Sequence, residues 1–324
     1  MAVLVTGANG FVGSHLVDAL LRAREEVRVL VRASSDLRFV DTSRVRIFYG
    51  ELARGEIPSE ALDGVDRVFH VAAVLKGAQW ETFRRVNVDA TLTLYRNFAE
   101  FAPAEGRFVF VSSLAAMGRG EKGSVYHEDD APNPHSYYGR SKLEAEVALA
   151  ALSGPALTVI RPPAVYGPRD SATLPLFALA ERGFAFCVGS GERHLSLIHV
   201  HDLVTGLLTA SEHRRGVGTF FLTDGPPHTW REIAQALANA SSHKVFIATL
   251  PDWLVLGAGA LNDAAHGLFG RQAMFGREKA RDFCAPSYSC SSQAAREAFG
   301  YEPKLALAEG MQATMRWYRE EGWL

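Results

Sequence analysis

Short runs of consecutive apolar residues alternate along the first half of the chain with longer segments whose apolar positions recur every three to four residues. Strand-like runs fall at Val3–Thr6, Val27–Val31, Val45–Tyr49, Arg67–Ala72, Phe108–Ser112 and Leu157–Arg161. Helix-compatible spacing covers Phe11–Arg24, Glu81–Phe101 and Ser136–Leu152. Near-continuous apolar strands separated by helices predict an α/β fold, with a parallel sheet covered on both faces. After Arg161 the pattern loosens, because Pro162, Pro163, Gly167 and Pro168 break any regular element. A strand and helix resume at Leu197–Leu208 and a strand at Thr219–Leu222, read as returns to the first lobe. The segment between, with much of Pro226–Pro286, is expected to form a second lobe above the strand ends.

Composition narrows the function classes. The chain has 324 residues, enough for a large core, or for a core and a smaller second lobe. Charged residues make up 22% and the formal net charge is −2, which supplies no electrostatic case for nucleic acid. Cys187, Cys284 and Cys290 lack metal-ligand spacing and read as ordinary thiols of a reducing compartment. No apolar run reaches the roughly 18 residues that span a bilayer, and Ala2–Thr6 reads as a strand rather than a cleavable signal. The expectation is a cytoplasmic protein acting on a small molecule, without a membrane span.

Thr6-Gly7-Ala8-Asn9-Gly10-Phe11-Val12-Gly13 follows the first strand directly and opens a helix. Gly7 permits the tight turn, Gly10 lets backbone approach a pyrophosphate, and Gly13 allows close packing of helix on strand. The helix N-terminus attracts phosphate, so the turn from Gly7 through Asn9, Phe11 and Val12 to Gly13 is expected to bind a dinucleotide. The second strand ends at Arg32, where a reader of a ribose 2′-hydroxyl would be acidic. An arginine there pairs with a 2′-phosphate instead, which favours NADP(H) over NAD(H), and Ser34 and Ser35 can add hydrogen bonds.

Tyr138 and Lys142 are four residues apart, shortly after a helix start at Ser136, so they share a helix face. An ammonium held there is expected to pull the phenol below its usual value of about 10, leaving a group able to exchange a proton with a carbonyl or alcohol oxygen. The adjacent Tyr137 has Ser141 at the same offset, which cannot do this electrostatically.

Together these residues resemble the extended short-chain dehydrogenase/reductases, the NAD-dependent epimerase/dehydratase family with its 3β-hydroxysteroid dehydrogenase-like and dihydroflavonol reductase-like members. The likeness spans nearly the whole chain. It rests on Gly7-x-x-Gly10-x-x-Gly13, Phe69-His70-Val71-Ala72-Ala73, Asn87 to Thr91, Val111 to Gly118 and Tyr138-x-x-x-Lys142. Arg161 to Pro168, Ile198 to Leu203 and the closing Trp317-Tyr318 and Gly322-Trp323-Leu324 add to it.

The resemblance implies a Rossmann-type, doubly wound sheet at about 1–165, with returns at about 197–223. It implies a substrate lobe from 166–196 and 224–324. It names Ser113 as the residue that holds the substrate oxygen, with Ser112 as the fallback, Tyr138 as the proton-transfer group, and Lys142 as the group that tunes Tyr138 and binds the nicotinamide ribose. Ala72, Ala73 and Asn87 would line the cofactor, and backbone from Pro162 to Val165 would meet the nicotinamide amide. The family's Gly-Asp-Leu is Gly50-Glu51-Leu52 here, so Glu51 would reach the adenine side on a longer arm. A homodimer through the helices at Glu81–Phe101 and Ser136–Leu152 is the family's usual assembly.

The chemistry then divides. Dehydratases of this family carry an acidic pair after the catalytic hydroxyl residue, whereas Leu114, Ala115 and Ala116 follow Ser113 and can move no proton. Epimerases of nucleotide sugars commonly place an arginine where Leu195 stands, with Arg193 displaced upstream. The leading expectation is an NADP(H)-dependent oxidoreductase that reduces a ketone, or oxidises a secondary alcohol, of a fairly hydrophobic substrate. The alternative is a nucleotide-sugar 4-epimerase with the same three residues, and a redox-silent cofactor-binding protein fits poorly. Pro251–Leu261 and Ala264–Phe269 are strongly apolar, and either wall a pocket or pack into the lobe's own core. The charges and polar groups at Asp252, Asn262, Asp263 and His266 exclude a membrane span there, leaving peripheral contact or a lid. His194, His199 and His201 cluster in sequence, but no further ligands are suitably spaced, so no metal is expected.

Overall fold

The computed structural model describes residues 2–77, 79–267 and 276–324. The first half builds β1 (Ala2–Thr6), α1 (Phe11–Arg22), β2 (Glu26–Val31), β3 (Arg46–Tyr49), β4 (Val65–His70) and α2 (Trp80–Phe83). It continues with α3 (Ala90–Phe101), β5 (Arg107–Val111), α4 (Tyr137–Ala150) and β6 (Ala156–Arg161). The second half adds β7 (Ala164–Tyr166), α5 (Leu174–Glu181), β8 (Phe184–Val188), β9 (His194–Leu195), β10 (Leu197–His199), α6 (Val200–Glu212) and β11 (Gly218–Phe221). After these come β12 (His228–Thr229), α7 (Trp230–Ala240), β13 (Phe246–Leu250), α8 (Asp252–Gly267), α9 (Arg277–Phe283) and β14 (Ser287–Tyr288). The chain closes with α10 (Gln293–Phe299) and α11 (Leu307–Glu320).

The large sheet has seven strands in the order β11-β6-β5-β4-β1-β2-β3, and every neighbouring pair is parallel. Parallel strands must be covered on both faces, and two apolar cores do this. On one face Leu16 and Leu20 of α1 meet Leu203 and Leu207 of α6 over Val3, Val5 and Val29. On the other, Leu94 and Phe98 of α3 and Ala145 and Leu149 of α4 pack on Leu4, Phe108 and Phe110. Chain order reverses direction between β1 and β4, so the crevice outside the strand ends opens there.

Three features depart from the sequence pattern. The helix expected over Glu81–Phe101 is interrupted by a π-helical stretch at Arg84–Asp89 between α2 and α3, which places Asn87 inward. The proline-rich segment after Arg161 still forms β7, because its residues find a partner in β10. That pairing keeps β10 out of the large sheet, so of the expected returns only α6 and β11 complete the first layer.

Above the strand ends lie two smaller cores. One joins Phe177 of α5, Ile233 and Leu237 of α7, and Met311, Met315 and Tyr318 of α11. The other joins β8, α7, Val255 of α8 and Ala280 of α9. Trp317 and Trp323 set their rings against Phe39, which ties the chain's end to the loop after β2. No helix among the described residues is long and apolar enough to cross a membrane.

Candidate active site

Gly7 is held at φ +70°, and a Cβ there would stand 2.7 Å from the Ala72 amide nitrogen. A Cβ at Gly13 would stand 2.1 Å from the Gly7 carbonyl oxygen. Both glycines are therefore required by the close approach of backbone to backbone, before any ligand is considered. The first turn of α1 carries no acidic residue, and Gly10, Phe11 and Val12 at its N-terminus line the cavity, which suits an anion. This cradle fits the pyrophosphate of a dinucleotide.

The cavity, about 1160 Å³, runs along the carboxyl ends of the strands into the second lobe. That is slightly above the roughly 300–1,000 Å³ usual for ligand sites. Gly7, Asn9, Gly10, Phe11, Val12, Gly13, Arg32, Glu51, Leu52, Ala72 and Ala73 line it at one end. Ser113, Tyr138, Lys142, Pro162 and Val165 line it further along. Arg32 stands exposed beside Ser35 and, among the described residues, pairs with no carboxylate. Glu51 lies 3.1 Å from Arg54. The Pro162 carbonyl accepts the Leu114 amide at 2.8 Å, so part of the backbone expected to meet a ligand is already engaged.

Besides Ser34, the expected cofactor residue that does not line the cavity is Asn87. It is fully buried; its Oδ1 accepts the Val74 amide at 2.8 Å, and its Nδ2 donates to the Val74 carbonyl at 3.0 Å and Ser141 Oγ at 2.9 Å. Ser141 Oγ in turn donates to the Tyr138 carbonyl at 2.8 Å. Asn87 thus fastens the loop after β4 to the first turn of α4. The π-helical stretch turns it inward, where a regular helix spacing gave no reason to expect a structural link.

Ser136 caps α4, its hydroxyl accepting the Gly139 amide at 3.0 Å, so the helix starts where the spacing required. Tyr138 and Lys142 consequently share the inward face. Tyr137 points out, 49% exposed, against the rings of Trp80 and Phe83. Ser113 lies close enough to the Tyr138 phenol to lower its proton affinity, and it caps the turn at Leu114–Ala116 by accepting the Ala115 amide at 3.1 Å. Ser112 is buried with its hydroxyl on the Glu146 carboxylate, which commits it elsewhere.

The electrostatics differ from the expectation of a lowered phenol. Burial pushes Tyr138 up to about 12, against the smaller downward pull of Ser113. Lys142 does not reach the phenol oxygen. Its ammonium is wholly buried, donates to the Val111 carbonyl at 2.8 Å and lies 4.6 Å from the Phe110 ring centre. Burial brings it down to about 7, with the Glu146 carboxylate pulling it partly back. The proton therefore stays on Tyr138 at neutral pH.

Sequence reading missed the layer beneath. Glu146 receives Arg161 through Nη2 at 2.6 Å and Nε at 3.1 Å, and both residues are buried. Glu146 is one helical turn beyond Lys142, so the series Tyr138, Lys142, Glu146 on one face was the available signal.

The remaining sequence candidates are structural. His199 caps α6 by accepting the His201 amide, and Asp202 receives the Lys304 and Leu305 amides at 3.0 Å each. The imidazoles of His199 and His15 each meet that of His201 edge to face, whereas His194 lies apart on β9. Arg193 is paired with Asp252 through both terminal nitrogens, at 2.8 and 2.6 Å, while Leu195 lines the cavity. Within Pro251–Leu261, Val255 packs into the lobe core and no residue lines the cavity. Trp253, Leu254, Leu256 and Leu261 are exposed, and the part of the second apolar run beyond residue 267 lies outside the described residues. The apolar wall comes instead from α5, β8 and α7.

The family model of the NAD dependent epimerase/dehydratase family matches residues 3–221. Among similar proteins, a ceramide reductase of Caulobacter vibrioides is 36% identical, over 99% of this chain and 96% of its own length. A 4-hydroxy-2-methyl-3-oxo-4-farnesyl-3,4-dihydroquinoline-1-oxide ketoreductase of Stigmatella aurantiaca is 28% identical, over 97% and 95%. The crystal structure of a UDP-glucose 4-epimerase from Thermotoga maritima superposes with a TM-score of 0.79 over 99% of both chains at 24% identity, a likeness of fold. With the glycine cradle, the reversal point of the sheet and the matched model in agreement, the chain belongs to the NAD dependent epimerase/dehydratase family and is an NAD(P)-dependent enzyme acting on CH–OH or C=O groups.

Proposed function

We propose that this protein is an NADP(H)-dependent reductase of a ketone, or the reverse dehydrogenase of a secondary alcohol, on a fairly hydrophobic small molecule. The observation that carries the reading is one continuous cavity, with the phosphate cradle and Arg32 at one end, Ser113 and Tyr138 between, and Leu, Ile, Phe and Trp side chains at the other. The relatives named as reductases of a ceramide and of a farnesylated quinoline support the same reading.

Hydride exchange with the carbonyl carbon is the chemistry that the nicotinamide supplies when bound. In this reading Ser113 holds the substrate oxygen by a hydrogen bond. Tyr138 gives that oxygen its proton during reduction, and a phenol held near 12 is protonated and ready to do so at neutral pH. Lys142, fixed on the Val111 carbonyl, supplies a donor one turn away and limits where the phenol can lie. Arg32 pairs with a 2′-phosphate, for which a guanidinium offers two parallel donors. Arg193, already held by Asp252, is withdrawn from any sugar diphosphate, which weighs against an epimerase. The exposed Phe101, Tyr137 and Val147 on α3 and α4 support pairing of these helices in a homodimer.

The test follows the absorbance of NADPH and NADH against aliphatic, steroid and flavonoid ketones, with UDP-sugars alongside. Net consumption of NADPH with a ketone is expected. Tyr138→Phe should lower turnover by about 10²–10⁴ while cofactor binding persists. Interconversion of UDP-sugars without net cofactor consumption would overturn the assignment.

A further inference from the structure

The cavity is larger than its polar lining requires. Beyond Pro162 and Val165 it continues to an apolar end lined by Leu176 and Leu179 of α5, Phe186 of β8, and Trp230, Ile233 and Leu237 of α7. The same six side chains also border a second hollow of about 10 Å³, barely the space of one water. Leu176 and Leu179 are spaced i, i+3, while Trp230, Ile233 and Leu237 are spaced i, i+3, i+7. Each set is a stripe along one helix face, and the α7 stripe is roughly 10 Å long at 1.5 Å per residue.

The single polar side-chain atom in these stripes is already used, since Trp230 Nε1 donates to the Phe283 carbonyl at 3.2 Å. Asp170, which lines the cavity beside α5, spends its carboxylate on the Ala172 and Thr173 amides. A nucleobase or sugar buried here would leave its own donors and acceptors without partners, a penalty that an apolar group avoids.

We propose that the slot between α5 and α7 is a subsite for a linear aliphatic chain, so that the substrate is a ketone carried on a long acyl or alkyl tail. This rests on the ketone-reductase reading and adds to it the part of the molecule that selects the substrate. A chain lies along two facing helix stripes with every methylene in contact, whereas a rigid fused-ring ketone fills such a slot poorly. Each methylene added within the slot should raise kcat/KM about fourfold, the equivalent of about 0.8 kcal/mol, until the chain outruns the apolar stripes.

Two measurements test it. In the first, cis-parinaric acid, a fluorescent fatty acid, is titrated into the wild-type protein and into Leu179→Trp, which fills the slot from a partly exposed position. Binding by the wild type and at least tenfold weaker binding by the variant are expected. In the second, NADPH consumption is followed over methyl ketones of increasing chain length. A rising series is expected, cut short in Leu179→Trp while its kcat/KM for the shortest ketones stays near wild type. Leu179→Ala, which cannot overfill the lobe, strips contacts from one wall and should lower the gain per methylene below wild type; it serves if the tryptophan variant does not fold.

A flat chain-length series with NADPH consumption intact, or equal loss for short and long ketones in Leu179→Trp, would overturn the slot and leave the reductase reading standing. Equal or better turnover of a steroid ketone that Leu179→Trp impairs no more than short ketones would also overturn it. Fatty-acid binding that Leu179→Trp abolishes, with no ketone consumed at all, would support the slot and sink the reductase reading.

Discussion

Lys142 places a positive charge where the fold gives it almost no water, so replacing it should stabilise the cofactor-free protein while removing its activity. Its ammonium falls from a usual 10.5 to about 7. At 1.36 kcal/mol per tenfold in proton affinity, this disfavours the charged form by roughly 5 kcal/mol. The folded value lies below the unfolded one, so the unfolded chain binds more protons between about pH 7 and 10.5, and stability must rise with pH across that window. Below pH 7 both states are charged and the whole penalty is present. By about pH 9 some 3 kcal/mol of it is relieved, and about 2 kcal/mol remains. Lys142→Met also forfeits the hydrogen bond to Val111, worth about 1–2 kcal/mol. The variant should therefore be about 3 kcal/mol more stable than wild type near pH 6 and close to equal near pH 9. Equilibrium urea unfolding of the cofactor-free proteins at both pH values measures this. Other groups cancel in the comparison; the neighbouring His70, held at about 3, and Tyr138, at about 12, titrate outside the window. A stability difference that does not change with pH, or a variant that is weaker at pH 6, would refute the argument.

Arg32→Ala should raise the KM for NADPH by about 10- to 100-fold and leave NADH nearly unchanged, since a charged hydrogen bond is worth about 1.5–3 kcal/mol; steady-state kinetics with both cofactors decides, and equal losses would contradict the 2′-phosphate role. Glu146→Gln leaves the buried Arg161 without its carboxylate, and chemical denaturation should show a loss of about 3–5 kcal/mol. Arg193→Ala breaks the pair with Asp252 at a partly exposed site, so a stability loss near 1 kcal/mol with unchanged kcat/KM for the ketone is expected. A hundredfold fall in kcat/KM there would mean that the arginine reaches substrate.

The chain's local patterns reach far. The glycines at 7, 10 and 13, the apolar runs of the six early strands and the shared face of Tyr138 and Lys142 are all short-range features, written within a few residues. Periodicity and turn chemistry act over the same distance, which is why the sheet, the cradle and the inward tyrosine could be read directly. What escaped depends on residues brought together from afar. Asn87 became a fastener because a π-helical stretch rotated it toward Val74 and Ser141. Pro251–Leu261 read equally as pocket wall or lobe core, and α5 and α7 supply the wall while Val255 packs into the core, because apolar content alone does not say which face meets which cavity. The Tyr138–Lys142 pair illustrates the division most clearly. Spacing placed the two groups on one face, but burial raised the phenol and lowered the amine, reversing the expected charge arrangement. Desolvation is a sum over every atom packed around a group, and Phe110 and Val111 enter that sum only once the helix has docked on the sheet.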